Sequence, residues 1–188
     1  MGAAYGFWPA GRDGDAVVVR DPRAPDRQIA RFPFPRQDGR ERLCLADYLR
    51  PVDEAPLPAP AGLVDYVGFL IVSVSGTLLE ESEAKMKGGE YTEGYYLHGF
   101  GVRLAEAAAE YVHRRMRREW GIDDGRGLRY AWGYPACPDH GQHEIVFRLL
   151  PAREALGMEL TEAGALVPEL STAAIVFHHP QAKYFSAE

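Results

Sequence analysis

The longest apolar run in the chain is nearly continuous from Tyr66 to Val74, YVGFLIVSV, and ends at Ser75-Gly76. A run of that length and composition, without polar alternation, predicts a strand buried on both faces. Two shorter stretches precede it. DAVVVR at Asp15 to Arg20 is rich in valine, breaks at the proline-bearing DPRAPDR, and resumes as QIARF at Gln28 to Phe32, which predicts a hairpin. Before the long run, PVDEAPLPAP at Pro51 to Pro60 carries four prolines. Proline fixes φ and removes amide donors, so this segment reads as an extended connector.

From about Tyr91 to Trp120 the period changes. Phe100, Leu104, Ala107, Ala108, Tyr111 and Val112 recur at helical spacing, and Gly121 follows as a C-terminal cap, which predicts the longest helix of the chain. HEIVFRLL at His143 to Leu150 reads as a short helix. MELTEAGALV at Met158 to Val167 and TAAIVFHH at Thr172 to His179 flank Pro168-Glu169-Leu170 and predict a second hairpin. Strands at both ends with helices between them describe an α+β fold, a mostly antiparallel twisted sheet with packed helices, one of them long and central.

Composition narrows the functional classes. A chain of 188 residues can bury a core without disulfide staples, and the 46% hydrophobic share sets disorder aside. The net charge of -6 argues against nucleic acid, which needs a basic face. The one dense basic run, RRMRRE at Arg114 to Glu119, reads as the solvated side of the long helix. No apolar run is long enough to span a bilayer, so no membrane role is expected. Cys44 and Cys137 lie far apart in sequence, without a signal peptide, and are expected as reduced thiols in the cytoplasm.

The chemistry concentrates in RYAWGYPACPDH, Arg129 to His140, where no regular helix or strand is expected to hold the residues. Three readings compete. In a small-molecule pocket, Arg129 grips a carboxylate with two parallel hydrogen bonds while Tyr130, Trp132 and Tyr134 offer flat faces to a ring or a cation. Gly133 then lets the backbone come close to the ligand. In a metal site, Cys137, His140 and His143 converge on zinc with Asp139 near by. In the third, the stretch is a proline-rich loop with buried aromatics and a capping aspartate. A Cys137 nucleophile with His140 as its base is a further, more demanding variant.

The order Arg-x-x-x-Gly-Tyr followed by Pro-Ala-Cys-Pro-Asp-His resembles the signature of the activation domain of cobalamin-dependent methionine synthase. So do LCLADYLRP around Cys44, DYVGFLIVSVSG around Tyr66, RLAEAAAEYVHRRMRREWG, GMELTEAGALVP, and HHPQAKYF near the C-terminus, all in family order. The resemblance covers essentially the whole chain and implies one activation domain over residues 1–188. It implies that the domain binds S-adenosylmethionine and presents its methyl group to a cobalamin held by a separate cobalamin-binding domain of the same enzyme. A flavodoxin-type or other reductase would supply the electron, so that inert cob(II)alamin returns to methylcobalamin. The homocysteine, folate and cobalt-ligating sites of that family lie in other domains.

Carried over by position, the resemblance gives a ligand-binding role to Arg129, Ala131, Gly133 and Tyr134, to the aromatic pair Tyr184 and Phe185, and to Glu106 on the long helix. Helical geometry turns Glu106 away from a stripe centred on Leu104 and Tyr111. Phe185 stands where the family usually has tyrosine, so a ring remains and a hydroxyl is lost. GIDDGRGL, Gly121 to Leu128, is shorter than in the longer members, which implies a more open rim. The family's N-terminal portion, with an Asp-Trp motif whose aspartate helps bind the ligand, has no counterpart before Tyr5; the chain is read as a fragment or a shortened relative. The alternatives are a stand-alone relative serving another corrinoid protein and a small metal-binding protein built on Cys137, His140 and His143.

Overall fold

The N-terminal third forms a three-stranded meander in the computed structural model, which describes residues 1–39, 41–52, 65–74, 76–122 and 126–187. Its strands are β1 (Gly2–Asp13), β2 (Ala16–Asp21) and β3 (Ala24–Pro33). Both ladders are antiparallel, with Ala10 opposite Val19 and Val17 opposite Phe32. The long apolar run is β4 (Asp65–Ser73), and the chain continues through α1 (Gly76–Lys87), α2 (Tyr91–Glu119) and β5 (Leu128–Ala131). Then come α3 (His143–Leu149), α4 (Ala152–Leu156), β6 (Glu159–Leu160), β7 (Leu166–Val167) and β8 (Ser171–Phe177). The six-stranded sheet has the order β3-β2-β1-β4-β8-β5, with β5 on one edge.

The chain divides into two compact units. One comprises Gly6–Phe69, Met116–Asp139 and Ala174–Glu188, and the other Met1–Tyr5, Leu70–Arg115 and His140–Ala173. In the first, Val17, Val19, Phe32, Phe69 and Phe177 are fully buried. Phe32 stacks on Phe69 at 5.0 Å between ring centroids, and Trp8 meets the same ring edge-on at 5.6 Å. A polar clamp holds the loop that follows β3. Arg36 donates to both oxygens of Asp47, at 2.8 and 3.0 Å, and to Asp15, while Arg12 reaches Asp47 from β1 at 3.1 Å. Asp47 also accepts the Cys44 N–H at 3.2 Å, at the start of a 3-10 turn over Leu45–Tyr48. The two cysteines are free thiols and both are buried.

In the second unit, Val74, Ala105 and Leu170 form a small core with Leu78, Leu79 and Leu104 packed against it. Ser171 Oγ donates to Ser73 Oγ at 3.0 Å, and the Val74 N–H bonds the Leu170 carbonyl at 2.8 Å.

Three expectations are corrected here. The second hairpin does not join Met158–Val167 to Thr172–His179. The first segment folds back on itself as β6 and β7, with Leu160 opposite Leu166, and the second enters the large sheet as β8. Gly164, with φ +79°, makes that tight reversal, since its N–H returns to the Thr161 carbonyl at 2.9 Å. The first helix, α1, was not legible as an element. Most of its residues are glutamate, serine, lysine or alanine, and Ser82 is its one fully buried residue.

The third correction concerns which face of α2 is buried. The expected stripe includes Phe100 and Tyr111, yet both are exposed. The buried positions are Gly94, Gly101, Ala105, Ala109, Val112, His113 and Met116, a face that shares Val112 with the expected stripe and is otherwise displaced from it by about one residue. The reason is steric. A methyl group at Gly94 would lie 2.6 Å from the Ser82 carbonyl oxygen, and one at Gly101 would lie 2.5 Å from Leu170. Only the smallest residues admit backbones that close, so the larger aromatics turn outward. The predicted stop holds: Gly121 has φ +72°, its N–H bonds Arg118 O, and the Ile122 N–H bonds Arg117 O, a Schellman closure. The proline-rich connector lies almost entirely outside the described residues, as do residues 123–125 of the GIDDGRGL segment.

Candidate ligand-binding site

The first three residues of RYAWGYPACPDH belong to β5, contrary to the expectation that no regular element holds them. Arg129 pairs with Val176 of β8 and Ala131 with Ala174. Side chains alternate along a strand, so Arg129 and Ala131 share one face and Leu128 and Tyr130 the other. Past Ala131 the chain makes two reversals in succession. The Tyr134 N–H bonds the Ala131 carbonyl at 3.4 Å, with Gly133 in the third position at φ +95°, a conformation that favours glycine. Then the Cys137 N–H bonds the Tyr134 carbonyl at 2.8 Å, with Pro135 in the second position, where its fixed φ suits the turn. The Gly133 N–H returns to the Cys137 carbonyl at 2.8 Å and ties the two turns together.

The ends of this loop are buried and its tip is not. Ala131, Trp132, Ala136 and Cys137 are buried, whereas Gly133, Tyr134 and Pro135 face solvent, and Tyr134 is 59% exposed. Two of the three aromatics expected to meet a ligand are therefore core residues. Trp132 is 5% exposed and packs 5.9 Å from Phe32 and 6.3 Å from Phe69. Tyr130 is 4% exposed and lies among Tyr48, Phe177 and Tyr184. Tyr134 is left to offer a ring at the tip. Because the Gly133 N–H is spent inside the loop, Gly133 offers a ligand its carbonyl and the space beside it.

The C-terminal residues run back over the same unit. The Lys183 carbonyl accepts from Tyr130 Oη at 2.8 Å and from Tyr48 Oη at 3.3 Å, and the Lys183 N–H donates to Tyr48 Oη at 3.2 Å. Gln37 donates to the Ser186 carbonyl at 2.9 Å, and Lys183 Nζ pairs with Glu41 at 2.6 Å. Tyr184 meets the Tyr130 ring edge-to-face at 5.5 Å yet stays 67% exposed, and Phe185 is partly buried. Burial, and next the neighbouring Tyr48, pushes the Tyr130 phenol well above the usual tyrosine value.

Of the seven residues carried over, Arg129, Ala131, Gly133, Tyr134, Tyr184 and Phe185 fall in one unit; Glu106 falls in the other, on α2. Glu106 follows buried Ala105 and is itself partly buried, so it does not stand opposite the packed face as expected. The metal reading finds no support among the described residues, where no group of three or more His, Cys, Asp or Glu converges. Cys137 is 1% exposed, and its thiol is pushed up by burial and then by the Asp139 charge. His143 Nδ1 bonds the Gly164 carbonyl at 2.7 Å. Tyr48 and Lys183 carry the latch, and neither was singled out in the sequence, because 135 positions separate them.

Comparison with known proteins gives one consistent result. The sequence matches the family described as vitamin B12 dependent methionine synthase, activation domain, over residues 1–188. It is 36% identical over 202 residues to methionine synthase of Mycobacterium tuberculosis and 37% identical over 202 residues to that of Mycobacterium leprae. Both alignments cover 97% of this chain; the chain spans 17% of the first relative's length and 16% of the second's. Among solved structures it is similar to the MetH reactivation domain bound to AdoHcy, with a TM-score of 0.84 and 28% identity, covering 98% of this chain and 60% of that one. The chain therefore belongs to the family of activation domains of vitamin B12-dependent methionine synthase.

Proposed function

We propose that this domain binds S-adenosylmethionine at the β5 edge, the Gly133–Pro135 tip and the C-terminal strap. In doing so it supports the reductive return of cob(II)alamin to methylcobalamin. The observation that carries this reading is the loop itself. Two linked turns, anchored by buried Trp132 and Cys137, hold an exposed glycine and an exposed tyrosine directly after a strand that bears an arginine. The AdoHcy held by the similar MetH reactivation domain has the amino-acid and nucleoside parts of S-adenosylmethionine, which strengthens the reading.

The donor set suits such a ligand. The Arg129 guanidinium matches a carboxylate in two-pronged fashion. Tyr134 and Tyr184 present ring faces to an adenine and to a sulfonium cation. In this reading the Ala131 and Gly133 main chain accepts from the adenine amine, and Phe185 adds an apolar wall. When bound, S-adenosylmethionine supplies a methyl group from its sulfonium; the residues of this chain bind it, orient it and limit water around it. The cobalamin belongs to a separate domain of the same enzyme, and a flavodoxin-type or other reductase is its electron source. The activation-domain reading carries with it a cytoplasmic setting. Calorimetric titration with S-adenosylmethionine and with S-adenosylhomocysteine tests the reading. Saturable one-to-one binding of both supports it, and no heat with either at millimolar concentration overturns it.

A further inference from the structure

We infer that Tyr48 is a positioning residue for the ligand site, acting at a distance through the main chain of Lys183. The inference rests on the ligand reading above and adds a residue to which that reading gives no role. Tyr48 closes the 3-10 turn that starts beside the Arg36–Asp47 clamp, and it is 6% exposed. It cannot meet a ligand directly. Its hydroxyl instead accepts the Lys183 N–H at 3.2 Å and donates to the Lys183 carbonyl at 3.3 Å.

A single side chain thus takes both main-chain groups of one residue. That residue immediately precedes Tyr184. Fixing its amide and its carbonyl together fixes the peptide planes on either side, and with them the position of the Tyr184 Cα from which the ring is carried. The Tyr48 ring is itself held rigidly. It stacks on Tyr130 at 6.1 Å, meets Phe177 edge-on at 5.6 Å, and lies 5.6 Å from His179, where the strap begins. Tyr130 adds a second donor to the same carbonyl at 2.8 Å and an edge-to-face contact for the Tyr184 ring at 5.5 Å. Without the latch, an exposed segment outside any helix or strand is loosely held. With it, Tyr184 is pre-organised, and the ordering cost that binding would otherwise meet is already met.

Tyr48→Phe is the informative variant, because it keeps the ring contacts and removes both hydrogen bonds. Three forms of the protein are compared with wild type: Tyr48→Phe, Tyr184→Ala and the double variant. Hydrogen exchange of the Lys183 amide, measured without ligand, reads the latch, and calorimetric titration with S-adenosylhomocysteine reads the site. The latch predicts faster Lys183 exchange in Tyr48→Phe and an affinity loss of about tenfold, some 1.4 kcal/mol. In the Tyr184→Ala background the same change should cost less than about twofold, since there is no ring left to position. A residue that merely stabilises the fold would cost the same in both backgrounds, and that result overturns the inference. So does wild-type affinity in Tyr48→Phe. If the wild-type protein binds neither S-adenosylhomocysteine nor S-adenosylmethionine, the ligand reading itself falls and the role of Tyr48 falls with it, whatever the exchange data show.

Discussion

Arg129 is the residue on which the ligand reading is most exposed to test. A guanidinium offers a two-pronged geometry that an ammonium cannot copy, so Arg129→Lys should behave almost like Arg129→Ala. Charged hydrogen bonds contribute roughly 1.5 to 3 kcal/mol each, so both changes should weaken S-adenosylmethionine binding by at least about tenfold. Titration of the three proteins beside their thermal melts decides the matter. An arginine kept only for packing would lower the melting temperature and leave affinity intact. At this scale the sequence was informative where chemistry is local. Gly133 and Pro135 stand where their backbone preferences are needed, and both could be read from one stretch. It was less informative about burial: Tyr130 and Trp132 look like ligand faces in a list of residue types and are core side chains in the fold. Nothing within twelve residues reveals that Phe32, Phe69 and Tyr48 will cover them.

Among the elements, α2 carries the sharpest consequence. The first part of its packed face is built from glycine and alanine, and at Gly94 α1 passes so near that the Ser82 carbonyl lies 2.6 Å from where a side chain would begin. Helix propensity alone makes Gly94→Ala stabilising by about 1 kcal/mol. The contact reverses the sign, because the obstructing atom is backbone and cannot swing away. The expected result is a loss of about 1 to 3 kcal/mol, read from chemical denaturation. Gly99, whose Cβ position meets nothing within 4 Å, is the control that should tolerate alanine. A stabilised Gly94→Ala would mean that α1 and α2 are not so closely packed. The helix itself was legible from its period and its glycine stop, and its buried face was not. Periodicity arguments weigh large apolar side chains most, and here these point outward. The β6–β7 hairpin escaped notice for a related reason, since two-residue strands leave no alternation to count.

For the molecule as a whole, stability should fall at both ends of the pH scale for separate reasons. Burial pushes the Asp47 carboxyl up, but the Arg36 hydrogen bonds and charge, with the Cys44 N–H, outweigh it and leave the group ionising below the usual carboxylate range. Asp65 follows the same pattern, with burial opposed by His178 and the Arg50 N–H. A depressed carboxylate stabilises the fold above its unfolded value, near about 4, and that contribution disappears as the pH falls through the lower folded value. Tyr130 acts in the opposite sense. Its raised phenol is harmless below the unfolded value, near about 10, and destabilises the fold as the pH rises beyond it, because only the unfolded chain can release the proton. Melting temperatures from pH 2 to 11, as a scan range of roughly that width, should therefore form a plateau with two falling limbs. Asp47→Asn should flatten the acid limb and Tyr130→Phe the alkaline one; an unaltered limb in either variant refutes that assignment. Much of the architecture was legible, because the α+β order follows from runs and periods within single segments. The arrangement of the C-terminal strap was not, since it is fixed by contacts such as Tyr48 with Lys183 that no local pattern encodes.

The burial of Cys137 gives the ligand loop a built-in clock. Only a thiolate attacks an alkylating or disulfide reagent, and this thiol is buried, with its proton held tightly, behind a turn whose two main-chain bonds both involve Cys137. Labelling must therefore wait for the turn to open, and its rate reports how often that happens. A ligand seated on the Gly133–Pro135 tip should lengthen the wait in inverse proportion to the unliganded fraction, by about 100-fold at a free concentration near 100 times its dissociation constant. Cys44, buried at the Arg36–Asp47 clamp, keeps its own time and should label at an unaltered rate. Mass spectrometry of the two labelled peptides, with and without S-adenosylhomocysteine, then locates binding by kinetics alone. Equal protection of both cysteines would mean that the ligand steadies the fold as a whole and that the loop is not its seat.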